Sequence, residues 1–141
     1  VTPLEMTTAV LDHAIANWNT ADAALTFDGE RFDAPEGEPW IRLTIRDLPT
    51  ASVTLGARSN RLAERRATLI AQVFAPLEVS DGAGAALALA IAFRDLFEPA
   101  DITASAGVVH ITGGATVRRI GVDGAWYQVN VDVPLTYHET I

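Results

Sequence analysis

Every second residue between 127 and 135 is apolar. Tyr127, Val129, Val131, Val133 and Leu135 alternate with Gln128, Asn130, Asp132 and Pro134. A period of two sustained this long predicts a strand with one face on a core and the other wet or paired. As a helix, the segment would scatter its valines around the axis. Asp123-Gly124, just upstream, is a hairpin-turn signal. Residues 108–112, a Gly113-Gly114 turn and residues 116–122 read as a further hairpin. The C-terminal third is therefore all strand by pattern.

The rest of the chain alternates in type. Thr2-Pro3 reads as a helix cap with a first-turn proline. Leu4, Leu11, Ile15 and Trp18 then form one helical stripe, with Thr7 and Ala14 beside it, and predict an amphipathic helix of about four turns. Residues 40–46 alternate, with Ile41, Leu43 and Ile45 facing one way and Trp40, Arg42, Thr44 and Arg46 the other. Pro49 ends that strand, and residues 51–55 read as a second, short one. Residues 67–77 are apolar on both faces apart from Gln72, which predicts a central strand covered on both sides, either by helices or by another subunit. Asp81 is positioned to cap a helix over 82–97 whose inward stripe is Leu89, Ala92, Phe93 and Leu96. Leu87 and Ile91 fall on the opposite side, flanked by Arg94 and Glu98, and apolar residues there predict a subunit contact, the alternative being a helix deep in the monomer. The order helix, strands, helix, strands predicts an α+β fold: a mainly antiparallel twisted sheet with two amphipathic helices packed on one face.

The 141 residues are expected to form a single domain. Cysteine is absent, which excludes disulfides and thiolate metal sites. The longest apolar run, 83–97, is shorter than the roughly 20 residues that span a membrane. The opening VTPLEM shows no basic leader and no apolar signal core, so secretion is not expected.

A formal charge of −8 argues against general phosphate binding, which needs a basic stripe. It suits a surface along which DNA slides. All ten basic residues are arginine, a planar fork suited to carboxylates at interfaces. Arg58, Arg61, Arg65 and Arg66 crowd into an expected arginine-rich loop at 56–66. Asp28, Glu30, Asp33, Glu36 and Glu38 lie in an acidic loop at 22–39, with a short strand expected near 25–27. These two groups are the candidate interface residues, together with Leu87, Ile91 and Arg94. The acidic loop is also a candidate lumen wall, and the plain alternative is a solvated loop. Its spacing does not match an EF-hand.

No catalytic constellation emerges. His13, His110 and His138 lack metal-ligand spacing. Ser52, Ser59, Ser80 and Ser105 lack a nucleophile-elbow context. Gly82-Ala83-Gly84 precedes a helix, but Asp81 beside it would repel phosphate. The reading is a non-enzyme without catalytic residues, cofactor or metal.

The succession PWIRLTI, TLG, RRATLIAQVFAPLEVSDGAG, an Ala-rich helix ending RDLF, and GVDGAWYQVNVDVP resembles the tail terminator-like proteins of long-tailed phages and phage-like particles. The match covers residues 40–134, with no single diagnostic motif. One departure is Ala67, where many relatives carry Gly, and this bears on how that strand starts. The resemblance implies a structural virion protein assembled in the host cytoplasm. It implies a homohexameric ring at the head-proximal end of the tail tube that stops tube growth and joins the neck. DNA would pass through the centre without specific binding. The implied partners are further copies of the chain, the tail tube protein and a head-tail connector or neck protein, with no membrane. A head-completion or neck protein, a tube subunit, and a small α+β ligand-binding protein are the competing readings. No long apolar hairpin favours the tube subunit, and the inward faces are chiefly aliphatic rather than polar.

Overall fold

The computed structural model describes residues 1–56, 61–77, 81–98 and 101–141. Its elements run α1 (Pro3–Asn17), β1 (Ala24–Phe27), β2 (Trp40–Asp47), β3 (Ser52–Val53), β4 (Leu62–Pro76), α2 (Gly82–Asp95), β5 (Asp101–Ala104), β6 (Gly107–Ile111), β7 (Thr116–Asp123) and β8 (Trp126–Thr140). The fold is α+β, as expected: two helices pack on a curled, mostly antiparallel sheet of eight strands.

Two long strands form its spine. β4 and β8 pair antiparallel from Leu62↔Thr140 to Pro76↔Trp126. Each offers its outer edge to two shorter strands in line. Beside β4 lie β2 and β3; beside β8 lie β7 and β6. β1 and β5 complete the two ends of the sheet.

The expected 108–122 hairpin is not formed. β6 and β7 do not pair with each other; both pair with β8. The exchange happens at Pro134. Its carbonyl accepts from Thr112 N–H at 3.2 Å. Proline's nitrogen faces the same edge and has no hydrogen to donate, so the ladder breaks there. The glycine pair Gly113-Gly114, both at positive φ, lets the chain step from one partner segment to the next. β6 instead pairs with β5, a strand that its four residues DITA did not announce. The Asp123-Gly124 turn is present: β7 and β8 close at Asp123↔Trp126.

β1 and β2 pair in parallel. Adjacent parallel strands cannot be joined by a tight turn, so the chain must travel back the length of the strand. Residues 28–39, the acidic loop, are that return. Phe32 anchors it on Trp40, with ring centroids 5.2 Å apart.

The core lies between the sheet and the helices. Ile41, Leu43, Leu69, Val73, Val129, Val131, Val133 and Leu135 are buried on the helix side, so the alternations of β2 and β8 hold. α1 starts as expected: Thr2 Oγ1 accepts from Glu5 N–H at 3.2 Å, and Glu5 returns a bond to Thr2 N–H at 2.9 Å. Its buried stripe differs, however. Met6, Val10, Ala14 and Trp18 face the core, while Leu4 and Ile15 are exposed. Both stripes end at Trp18, and the observed one follows the steeper i, i+4 row that α1 presents to β5 and α2. α2 is capped by Asp81, whose carboxylate accepts from Gly84 N–H at 3.0 Å. It buries Ala86, Ala90 and Phe93, with Phe97 buried just past its end; Leu89 and the C-cap Leu96 pack at the margin, and Ala92 is exposed rather than inward. Small alanines on the buried row let the helix approach the sheet closely, leaving the larger leucines to flank it.

β4 is covered on one face by the helices. On the other, Thr68, Ile70 and Gln72 are half-exposed, while Phe74 and Pro76 are buried, Phe74 under Trp40 stacked at 4.2 Å. Within one chain the strand is thus covered on both sides only at its C-terminal end, and the rest of that face is left to the other expected cover, a second subunit.

Candidate subunit and partner interface

The expected arginine loop is divided by the fold. Arg58 lies outside the described residues. Arg61 precedes β4 and closes the sheet end through two backbone bonds with Ile141. Arg65 and Arg66 sit within β4, not in a loop, because the ladder with β8 already begins at Leu62. Arg65 points to the helix side, where its guanidinium holds Glu139 at 3.0 Å and donates to Thr50. Arg66 points to the other side and is exposed.

Beside Arg65 the Tyr137 side chain is 2% exposed. Its phenol is pushed above the ordinary tyrosine range, first by burial, then by the negative charges of Asp47 and Glu139; Arg65 partly opposes this. This cluster lines a small cleft of about 180 Å³ with Pro3 and Leu48.

On α2, Ile91 is 37% exposed and flanked by exposed Ala88 and Ala92. Leu87 is half-buried and lines a shallow groove with Arg119, Tyr127 and Val129. Arg94 is held by Asp95 at 3.1 Å and lies 3.8 Å from Glu98. Asp28, Glu30, Asp33, Glu36 and Glu38 are all exposed, and none forms an ion pair among the described residues.

Three arginines not singled out from sequence, Arg42, Arg46 and Arg118, share the uncovered face of the sheet with Arg66. Arg118 grips Asp132 through two bonds of 3.0 and 3.3 Å. Arg42 lies 5.3 Å over the Trp40 ring, a cation–π contact. The signal was present in the alternation of residues 40–46, but its meaning depends on knowing that both helices cover the opposite face.

A groove of about 630 Å³ runs between α1 and β5 and includes His13 and Ser105. His13 has both ring nitrogens engaged, Nε2 with Leu96 carbonyl at 2.8 Å and Nδ1 near Asn17 at 3.4 Å. It is therefore not placed as a base for the serine. Among the described residues no group of three or more His, Asp or Glu side chains is arranged to hold a metal ion, and no helix is long and apolar enough to cross a membrane.

The chain superposes on a solved structure with a TM-score of 0.71, covering 96% of this chain and 95% of the other, at 16% identity. That likeness is one of fold. No curated protein matches the chain in sequence. The family model described as phage tail terminator protein matches residues 6–135, from the first buried residue of α1 to Leu135 at the end of β8's alternation. The chain therefore belongs to the phage tail terminator family and is a structural component of a phage tail.

Proposed function

We propose that the protein forms a hexameric ring that caps the head-proximal end of the tail tube, ends tube growth and joins the tail to the neck. The whole chain acts as one domain. Tube protein meets one face of the ring and a connector or neck protein the other, and DNA passes through the centre without being bound specifically. Assembly takes place in the host cytoplasm, and the role is structural rather than enzymatic.

The observation that carries this reading is the coexistence, on one chain, of exposed charge of both signs without internal partners. The 28–38 carboxylates and the sheet arginines Arg42, Arg46 and Arg66 form no ion pairs among the described residues. A closed ring requires a heterologous interface, in which one patch meets a different patch on the neighbour. The exposed Ile91 adds apolar surface, with Arg94 at its margin. Six copies at −8 each would carry about −48, a self-repulsion that salt relieves only in part. Arginine–carboxylate pairs between copies offset it, and an acidic inner wall would let DNA slide.

The test is the solution mass across a concentration series by light scattering, with tail lengths measured by electron microscopy in particles lacking the protein. A six-fold mass and overlong tails are expected. A monomer that neither binds assembled tubes nor alters tail length would remove the reading.

A further inference from the structure

The uncovered sheet face has a definite layout. Cross-strand registers place Arg42, Gln72, Asn130 and Arg118 in one row and Thr44, Ile70, Asp132 and Thr116 in the next. Arg46 and Thr68 follow, with Arg66 beyond. Asp132 lies among these arginines and is already held by Arg118. Between Arg46, Thr68, Arg118 and Asp132 lies a shallow trough whose apolar floor is Ile70 and Leu48, the latter 43% exposed. An apolar centre inside a charged rim is the anatomy of a protein–protein contact.

The 28–38 return loop carries the complementary pattern. Asp33-Ala34-Pro35-Glu36 places two small apolar residues between two carboxylates. Within its own chain the loop is anchored by Phe32 on Trp40, and its carboxylates reach none of the sheet arginines.

We propose that the uncovered sheet face receives the return loop of a second copy. Ala34-Pro35 covers Ile70 and Leu48, and Asp33 and Glu36 pair with Arg46, Arg66 and Arg118. This rests on the ring reading and names its contact. Because two different patches meet, the contact leaves each copy with a free face and a free loop when it is made once, so it extends head to tail and forms a ring where the rotation per copy closes. Duplex DNA is the other anion such a face could attract, but a chain with a net charge of −8 repels it at long range.

The chain has no cysteine, so single thiols can be placed on a clean background. Leu48→Cys in the trough and Ala34→Cys in the loop remove no charge. Mixed and oxidised, in concentrated solution and with assembled tubes, the two variants are expected to form a disulfide-linked pair far faster than either alone. Leu4→Cys, exposed on α1, should link to neither. The chain carrying both changes should give a ladder that ends at six.

Charge reversal gives a second readout. Arg46→Glu with Arg66→Glu should weaken self-association on the order of a hundredfold, as should Asp33→Arg with Glu36→Arg. Combining all four should restore most of it. Linking that stops at a number other than six would keep this contact and overturn the hexamer. A six-fold mass without linking or charge rescue would keep the ring and overturn this contact. Absence of linking with and without tubes, or arginine-dependent binding of duplex DNA with self-association unchanged, would also overturn it.

Discussion

Arg65 and Arg66 are neighbours in sequence and leave β4 on opposite faces of the sheet. Arg65 is held against Glu139 and Thr50 on the helix side of the sheet, whereas Arg66 stands exposed on the uncovered side. Read from sequence as one loop, the two arginines invite the same expectation, that charge reversal impairs assembly and spares the fold. Their placement separates them. Arg65→Glu sets a third carboxylate beside Glu139 and Asp47 and should cost about 1 to 3 kcal/mol of folding stability. Arg66→Glu should shift stability by no more than about 0.5 kcal/mol while weakening self-association. Urea unfolding of both variants, alongside light scattering, distinguishes the two effects.

Tyr137 makes stability sensitive to alkali. Burial, Asp47 and Glu139 all hold its phenol in the neutral form, so the folded state keeps the proton to higher pH than the unfolded chain does. The contribution is complete below the ordinary tyrosine value of about 10 and is lost as pH rises from there through the raised folded value. Unfolding free energy should therefore fall above about pH 10. In Tyr137→Phe that part of the fall should disappear. Tyrosinate absorbance recorded during the titration reports which ring ionises.

The exposed side of α2 gives a third prediction. Ile91→Asp should leave circular dichroism and melting near those of the parent chain while reducing assembly, because Ile91 faces outward between Ala88 and Ala92. Leu87→Asp should cost about 1 to 2 kcal/mol of stability, since Leu87 is half-buried against Tyr127 and Val129. Phe93→Ala, fully buried, should cost about 3 to 5 kcal/mol and sets the scale for a core change. Equal melting of the Leu87 and Ile91 variants would count against this orientation of the helix.

At the start of α2 the cap and a glycine are coupled. A Cβ on Gly84 would meet the Asp81 carboxylate, the acceptor for Gly84's own N–H. Asp81→Ala should cost about 1 kcal/mol. Gly84→Ala gains roughly 0.5 to 1 kcal/mol of helix propensity but displaces the cap, so alone it should be near neutral. In the Asp81→Ala background it should stabilise. A double-mutant cycle by thermal unfolding measures the coupling.

Legibility followed the strength of local constraint. The alternations of β2 and β8 were readable because a single residue's slip would invert every side chain. The caps of both helices were readable because Thr2 and Asp81 act on amides within three residues. The core stripe of α1 was not. Leu4 and Ile15 make as good an apolar row as Met6 and Val10, and only the docking of the helix on β5 and α2 chooses between them. The pairing of β6 and β7 was missed because Gly113-Gly114 looks like a hairpin turn, while the partner is decided by Pro134, far along the chain. The acidic residues at 28–38 are exposed, as a charged, Gly- and Pro-bearing segment predicts. The arginines were misjudged because their grouping in sequence is undone by the two faces of β4. Arg42, Arg46 and Arg118 become a group only through the sheet registers.

The β4–β8 ladder has a mechanical consequence. Its two strands run side by side from Leu62↔Thr140 to Pro76↔Trp126. A pull along the strand axis loads the rungs together, in shear, and they must rupture almost at once. A peeling force at the edges of the sheet meets the shorter strands β1, β3, β5 and β7, whose rungs open one after another. The subunit is thus stiff in one direction and yielding in the other. Traction applied parallel to β4 and β8 would be borne by the spine, while sideways strain would be absorbed first at the margins.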